Sequence, residues 1–269
     1  MIESMQPDVV VVIPARYGST RLPGKPLLSE TGRPLIQHVV EAVQRATRVG
    51  RLIVATDDLR IADAVRAFGG EAAITRPDHQ SGTDRIAEVA WKLTTAKIIV
   101  NLQGDQPEIS GATIDRVVAL LDEDPESAVA TLCTPIYDDS VFRNPSRVKV
   151  AFSQRGRALY FSRSPIPCHQ GESAFPANSN VLGYLHLGIY AYRRDFLLKL
   201  ATLPPSPLES IEQLEQLRVL EAGYPIVLDV VQDSGVGIDT WEDYAEFVKR
   251  WNAGGTGVRS AHSPFQPEK

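Results

Sequence analysis

The apolar positions of the chain fall into two alternating kinds of pattern. Residues 9–13 (VVVVI) are a continuous β-branched run, which suits a strand buried on both faces of a parallel sheet. Pro14 is expected to stop it. Leu35, Ile36, Val39, Val40 and Val43 then recur at helical spacing, predicting a helix over residues 35–46. Residues 52–55 form the next strand. Asp57 or Asp58 can cap a helix running to Phe68, which Gly69-Gly70 ends. A short strand over 72–74, a helix over 83–93, a strand over 98–102 and a Ser110-capped helix to about Leu121 complete this half. Strands alternating with helices predict an α/β fold with a parallel sheet, covered on both faces and joined by right-handed crossovers. Ligands of such sheets gather outside the carboxyl ends of the strands, so the loops after Ile13, Ile74 and Leu102 are the places to search.

The second half is patterned differently. Residues 148–152 and 158–161 predict two strands separated by a turn at Gln154-Arg155-Gly156. Residues 165–180 are rich in Pro, Ser and Asn and are expected to form a mobile loop. Residues 186–192 alternate in part, as a strand pairing beside the sheet would. A helix is expected over 209–221, a strand over 226–230, and a last helix opened by Thr240 with Asp243 in a capping-box position. No internal repeat is present. The expected architecture is one α/β domain over residues 1–252, with a smaller mixed lobe inserted at about 134–200. Residues 253–269 are Gly-, Ser- and Pro-rich without periodicity and are expected to be a disordered tail.

Composition narrows the function classes. With 269 residues, 43% of them hydrophobic, the chain can bury a sizeable core. A net charge of -5 argues against a general nucleic-acid binder, though not against a local basic pocket. Cys133 and Cys168 lie far apart and offer neither a disulfide framework nor a metal-ligand spacing, which suits a reducing, cytoplasmic setting. No apolar run approaches the ~20 residues of a membrane helix, and the first residues carry no basic run of the secretory type.

Candidate chemistry sits at the predicted strand ends. The loop over residues 14–26 carries Arg16, Arg21 and Lys25 together with Gly18 and Gly24. Arginine offers phosphate a planar fork, lysine a point charge, and glycine-rich turns expose backbone N–H groups to anions. The loop therefore reads as an anion site at a strand end, and its three cations would suit a triphosphate. It contains neither a Walker loop nor a dinucleotide fingerprint, so a nicotinamide oxidoreductase is disfavoured. Asp105 follows the strand over 98–102 behind Gly104, and Asp239 follows Gly235 and Gly237. Carboxylates at such turns suit Mg²⁺, which takes one or two of them plus substrate phosphates. Each could equally be a turn or cap residue.

Together the motifs PARYGSTRLPGKPL, TRPDHQSGTDR, NLQGDQP, NPSRVKV, ALYFSRSPIP, HLGIYAYR, SPLESIEQLEQLRVLEAG and GVGIDT resemble the CMP-Kdo synthetases, the 3-deoxy-manno-octulosonate cytidylyltransferases, from about Val10 to Trp251. The resemblance implies a mostly parallel, Rossmann-like sheet of the sugar-nucleotide transferase type, with a smaller mixed α/β lobe that forms a homodimer contact. It implies transfer of CMP from CTP to Kdo, an acidic sugar, for lipopolysaccharide biosynthesis. In this sequence Arg16, Arg21 and Lys25 would contact the phosphates, and Pro14 and Ala15 would also bind the nucleotide. Thr75, Arg76, Ser81 and Gly82 would hold the cytidine side, and Asp105 and Asp239 would carry Mg²⁺. Gln103, Arg163, His186, Tyr190, Glu215 and Gln216 match the sugar-acid pocket. Arg163 could pair a substrate carboxylate bidentately, and Glu215 and Gln216 could bond sugar hydroxyls from one helix turn.

Two positions depart from the family pattern. Gln106 stands where the family usually has Glu, and Trp241 where it often has Pro. Neither is an assigned ligand, but both leave room for a shifted acceptor, such as 8-amino-Kdo or a sialic-type acid. A non-catalytic nucleotide-sensing module is the alternative of another class.

Overall fold

The computed structural model describes residues 8–18, 22–79, 81–168, 180–232 and 237–254. In chain order the elements are β1 (Val9–Ala15), a 3-10 turn (Lys25–Leu27), α1 (Leu35–Val43), β2 (Arg51–Thr56), α2 (Leu59–Ala67), β3 (Ala72–Ile74), α3 (Gly82–Lys92), β4 (Ile98–Asn101) and α4 (Gly111–Glu123). There follow β5 (Val129–Ile136), α5 (Asp139–Arg143), β6 (Lys149–Phe152), β7 (Ala158–Ser162), β8 (Gly183–Arg193), α6 (Arg194–Leu200), α7 (Pro207–Glu212), α8 (Gln216–Glu221), β9 (Ile226–Val230) and α9 (Trp241–Asn252).

The main sheet runs β3-β2-β1-β4-β8-β5-β9. Its strands are parallel except β8, which lies antiparallel between β4 and β5. The β6–β7 hairpin joins it at the Lys149–Leu185 pair of β6 and β8. β1 explains why a run of valines is needed at the centre. Val10 and Val12 enter the core on one face with Ile53 and Ile86. Val11 and Ile13 enter the other with Val39, Val100 and Val117. A third cluster seats α9 through Leu22, Leu35, Ile238, Tyr244 and Phe247.

Three expectations changed. Pro14 does not end β1, which runs on to Ala15. The last β1–β4 pair is Val12–Asn101, so Pro14 pairs only toward β2, and its missing N–H breaks no ladder on the β4 side. The helix over 209–221 is two helices, α7 and α8, separated at Gln213, whose φ of 54° is left-handed. Residues 129–136, not anticipated as a strand, form β5. Pro165–Cys168 and Asn180 of the expected mobile loop are described; its residues 169–179, and 255–269 of the expected tail, lie outside the described residues.

Candidate active site

The sheet's order reverses beside β1: the chain steps outward through β2 and β3, then returns to place β4 on β1's other side. The carboxyl ends of β1 and β4 therefore open a crevice, the usual ligand site of such sheets. The turn after β4 closes tightly on β1. A Cβ on Gly104 would stand 3.2 Å from the carbonyl oxygen of Pro14, so glycine permits the approach that aims Asp105 into the crevice. Gly237 lies against Asp105 on the other side, where a Cβ would stand in ordinary contact, 3.4 Å from Oδ1.

Lys25, Asp105 and Asp239 meet there, although 214 residues separate the first from the last. Lys25 Nζ donates to Asp105 Oδ2 at 2.7 Å and to the Ile238 carbonyl at 2.7 Å, and lies 3.5 Å from Asp239 Oδ1. The backbone N–H of Ile238 donates to the Asp105 carbonyl at 2.9 Å, tying the two carboxylate-bearing turns together. Burial raises the pKa of Asp105; Lys25 opposes this, and the negative charge of Asp239 adds to it. Two carboxylates converging on one cation fit a Mg²⁺ site that is completed by substrate oxygens. Among the described residues no group of three or more His, Cys, Asp or Glu side chains could form an all-protein metal cage.

Of the residues expected on the nucleotide side, Gly82 lines the same cavity as Asp239, and the others are spread more widely. Gly82, at the start of α3, packs against Pro14, with 3.6 Å between its Cβ position and the proline ring. Ser81 caps α3, accepting from the Asp84 N–H at 3.1 Å. Arg16 is exposed and donates to the His79 carbonyl at 2.8 Å, linking the expected phosphate loop to the segment expected on the cytidine side. Thr75 is buried and its hydroxyl accepts from Arg85, a fully buried arginine paired with Asp57 at 2.9 Å. Arg76 is exposed and faces a separate depression between α3 and α6. Ala15 ends β1 and is buried. Arg21 lies outside the described residues.

The six residues expected in the sugar-acid pocket converge. Gln103, Arg163, His186, Tyr190, Glu215 and Gln216 line one cavity of about 440 Å³, and Gly82 and Asp239 line it too. Strand β8 supplies its floor. Two extra residues of β8 lie between the Thr131–Tyr190 and Cys133–His186 pairs, an irregularity that preserves alternation. His186, Tyr190 and Tyr192 therefore share a face. Their rings are in contact, with centroids 5.1 Å and 5.7 Å apart.

The His186 tautomer follows from its neighbours. The Thr131 hydroxyl donates to the Ile189 carbonyl at 2.7 Å, so its oxygen must accept from His186 Nε2 at 2.9 Å. Nδ1 is left as an acceptor on a ring that lines the cavity. Burial pushes the pKa of His186 down to about 3, although part of the residue's surface faces the cavity. Burial likewise raises Tyr190 well above the usual tyrosine value, with Tyr192 and Glu215 adding to it.

Arg163 differs from a simple carboxylate fork. Its Nε donates to the Glu212 carbonyl at 2.7 Å, Nη1 to Pro145 at 3.1 Å and Nη2 to Gln213 at 3.2 Å. Two of its five N–H groups remain for a ligand. Glu215 is exposed at the N-cap of α8, and Gln216 is buried behind it. Gln103 donates to Asn101 Oδ1 at 3.3 Å.

Asn101, Thr83 and Tyr192 also line the cavity and were not singled out from the sequence. Asn101 and Thr83 stand inside the NLQGDQP and TRPDHQSGTDR motifs, and Tyr192 follows His186 and Tyr190 in alternation. Gln106 is buried and donates to the Leu187 carbonyl at 2.7 Å. Trp241 is exposed at the first position of α9.

Comparison with known proteins agrees over nearly the whole chain. The family described as Cytidylyltransferase matches residues 10–230. A 3-deoxy-manno-octulosonate cytidylyltransferase of Syntrophotalea carbinolica is 49% identical over 242 residues, 88% of this chain and 95% of that protein. One from Escherichia coli is 50% identical over 232 residues, covering 86% and 91%. A solved structure of a CMP:2-keto-3-deoxy-manno-octonic acid synthetase complexed with CTP is 46% identical. It superposes with a TM-score of 0.82 over 91% of this chain and 99% of the other.

Proposed function

We infer that the chain, which belongs to the cytidylyltransferase family, transfers CMP from CTP to Kdo, releasing pyrophosphate and forming CMP-Kdo. The observation that carries this reading is the meeting of two half-sites: the Lys25–Asp105–Asp239 cluster opens directly onto the cavity lined by Arg163, His186 and Gln216.

In the proposed reaction the anomeric hydroxyl of the sugar forms a bond to the α-phosphorus of CTP. The bond from that phosphorus to the bridging oxygen breaks, its electron pair leaves on pyrophosphate, and the hydroxyl proton passes to solvent. Catalysis of such transfers is mostly positioning and charge stabilisation. Arg16, Arg21 and Lys25 neutralise the triphosphate. Lys25, already between the carboxylates, is placed to follow charge onto the leaving pyrophosphate. His186 orients a sugar hydroxyl through Nδ1; with a pKa of about 3 it is a poor proton acceptor near neutrality. Asp105 and Asp239 would hold Mg²⁺, which when bound supplies charge neutralisation and makes the attacking hydroxyl more acidic.

This reading places the protein in the cytoplasm, as a homodimer activating Kdo for lipopolysaccharide. Among the described residues no helix is long and apolar enough to cross a membrane. The deciding experiment is CTP-dependent pyrophosphate release over a panel of Kdo, 8-amino-Kdo and N-acetylneuraminate. Kdo is expected to give the highest kcat/KM, and no release above background with Kdo would overturn the proposal. CTP binding with no turnover of any panel member would favour the sensing module.

A further inference from the structure

Lys149 has no exposed surface. Among the described residues it makes no ion pair, and its partners are backbone. Nζ donates to the carbonyls of Asn144 at 3.0 Å, Arg147 at 2.6 Å and Arg163 at 2.5 Å. An ammonium has three N–H groups, and each has one carbonyl. Burial lowers its pKa; Glu212 opposes this and Arg163 adds to it.

These carbonyls belong to two separate walls of the acceptor cavity. Asn144 and Arg147 bracket the turn that carries Ser146 into the lining, while Arg163 follows β7. Arg163 then extends the chain of bonds. Its side chain binds the carbonyls of Pro145, Glu212 and Gln213, and its own N–H donates to Glu212 Oε2 at 2.9 Å. Glu212 Oε1 also accepts from the Ser162 hydroxyl at 2.7 Å. Turning the carbonyls of residues 212 and 213 toward Arg163 accompanies the left-handed Gln213 that separates α7 from α8. That break sets Glu215 and Gln216 against the cavity. Among the described residues, none of these hydrogen bonds reaches Lys25 or Asp105.

We propose that Lys149 is a positioning residue for the acceptor: one buried ammonium joins the 144–147 turn to Arg163, and through Arg163 to the 212–216 bend, fixing the acceptor half of the site without touching the sugar. The proposal rests on the reading of this cavity as the acceptor site. It requires that disturbing Lys149 affect the acid sugar and spare the nucleotide, a split that general loosening of the fold would not produce.

The test is steady-state kinetics of Lys149→Met and Lys149→Arg, with CTP affinity by calorimetry. For Lys149→Met the KM for Kdo is expected to rise at least tenfold, with the KM and Kd for CTP within threefold of the wild type. Lys149→Arg keeps the charge in a different shape and is expected to show the same split at three- to tenfold. If Lys149→Met does not fold, the arginine variant decides. A Kdo KM within threefold of the wild type in a folded Lys149→Met, or equal rises for Kdo and CTP in either variant, would overturn the proposal. Hydrogen exchange reads the network without any sugar, and so separates this proposal from the functional one. Faster exchange in both 144–150 and 212–217 supports it; a change confined to 144–150 overturns it, whether or not the wild type turns over Kdo.

Discussion

Asp105→Asn should separate chemistry from folding. Asparagine has nearly the same shape, and its side-chain oxygen can still accept from Lys25, now 2.7 Å from Oδ2. The Ile238 N–H to Asp105 carbonyl bond belongs to the backbone and survives. Lys25 keeps the Ile238 carbonyl at 2.7 Å and Asp239 at 3.5 Å, so the substitution strands no buried cation. The lost ion pair is partly exposed, with side chains 15% and 25% accessible, and the burial that raises the Asp105 pKa already penalises its charge, so its net worth is at most about 1 kcal/mol. For a domain of this size that is a shift in Tm of about 2–4 °C. The kinetic cost is much larger. One of two carboxylates around the triphosphate is gone, and charge stabilisation of this kind supplies several kcal/mol. A loss of about 4 kcal/mol is roughly a thousandfold in rate. The assay is pyrophosphate release at saturating CTP and Kdo, with thermal unfolding on the same preparation. A kcat within tenfold of the wild type would refute the ligand role of Asp105. A Tm lowered by ten degrees or more would refute the claim that its charge is dispensable to the fold.

Chelation should abolish pyrophosphate release, with Mg²⁺ restoring it; release that persists in excess chelator would remove the metal from the reading. Phe247→Ala should destabilise the chain by about 3–5 kcal/mol in urea unfolding, because a buried ring is deleted from the cluster that seats α9. A loss under ~1 kcal/mol would show that α9 is held mainly by the Arg250–Glu108 pair instead. His186 carries a sign in its pH dependence. Its folded pKa, about 3, lies below the usual 6.5, so the folded state resists protonation and stability falls as pH drops from about 6.5 toward 3. His186→Gln should therefore lose less Tm than the wild type between pH 7.5 and pH 5; equal losses would contradict the buried, neutral imidazole.

Legibility in the sequence followed how local the cause was. The valine run of β1, the helical spacing of α1 and the Thr240–Asp243 capping box are set by neighbouring residues, and the structure agrees with them closely. Strand β5 was obscured because VATLCTPI mixes Thr, Cys and Pro with apolar residues. Thr131 can sit fully buried there only because Ile189 and His186 satisfy its hydroxyl, and both belong to a strand more than fifty residues later. The same holds at Gln213. Apolar spacing over 209–221 supports one helix, whereas Arg163 takes the Glu212 and Gln213 carbonyls and the chain bends. At both places a local pattern is overruled by a hydrogen bond from far away in sequence, whereas the run-on of β1 past Pro14 follows from which neighbour the proline pairs with.

The two halves of the site differ in the same way. The phosphate loop and Asp105 follow from topology, since a parallel sheet whose order reverses between β1 and β4 must open its crevice at their carboxyl ends. Any chain with this alternation would open a ligand crevice there. The acceptor half has no such rule behind it. It exists because antiparallel β8 enters between β4 and β5, setting His186 and Tyr190 beside the end of β4, and because Lys149 and Arg163 pull two later turns against that face. Acceptor choice should therefore vary through substitutions in β8, the 144–147 turn and the 212–216 bend, while the Lys25–Asp105–Asp239 cluster stays unchanged.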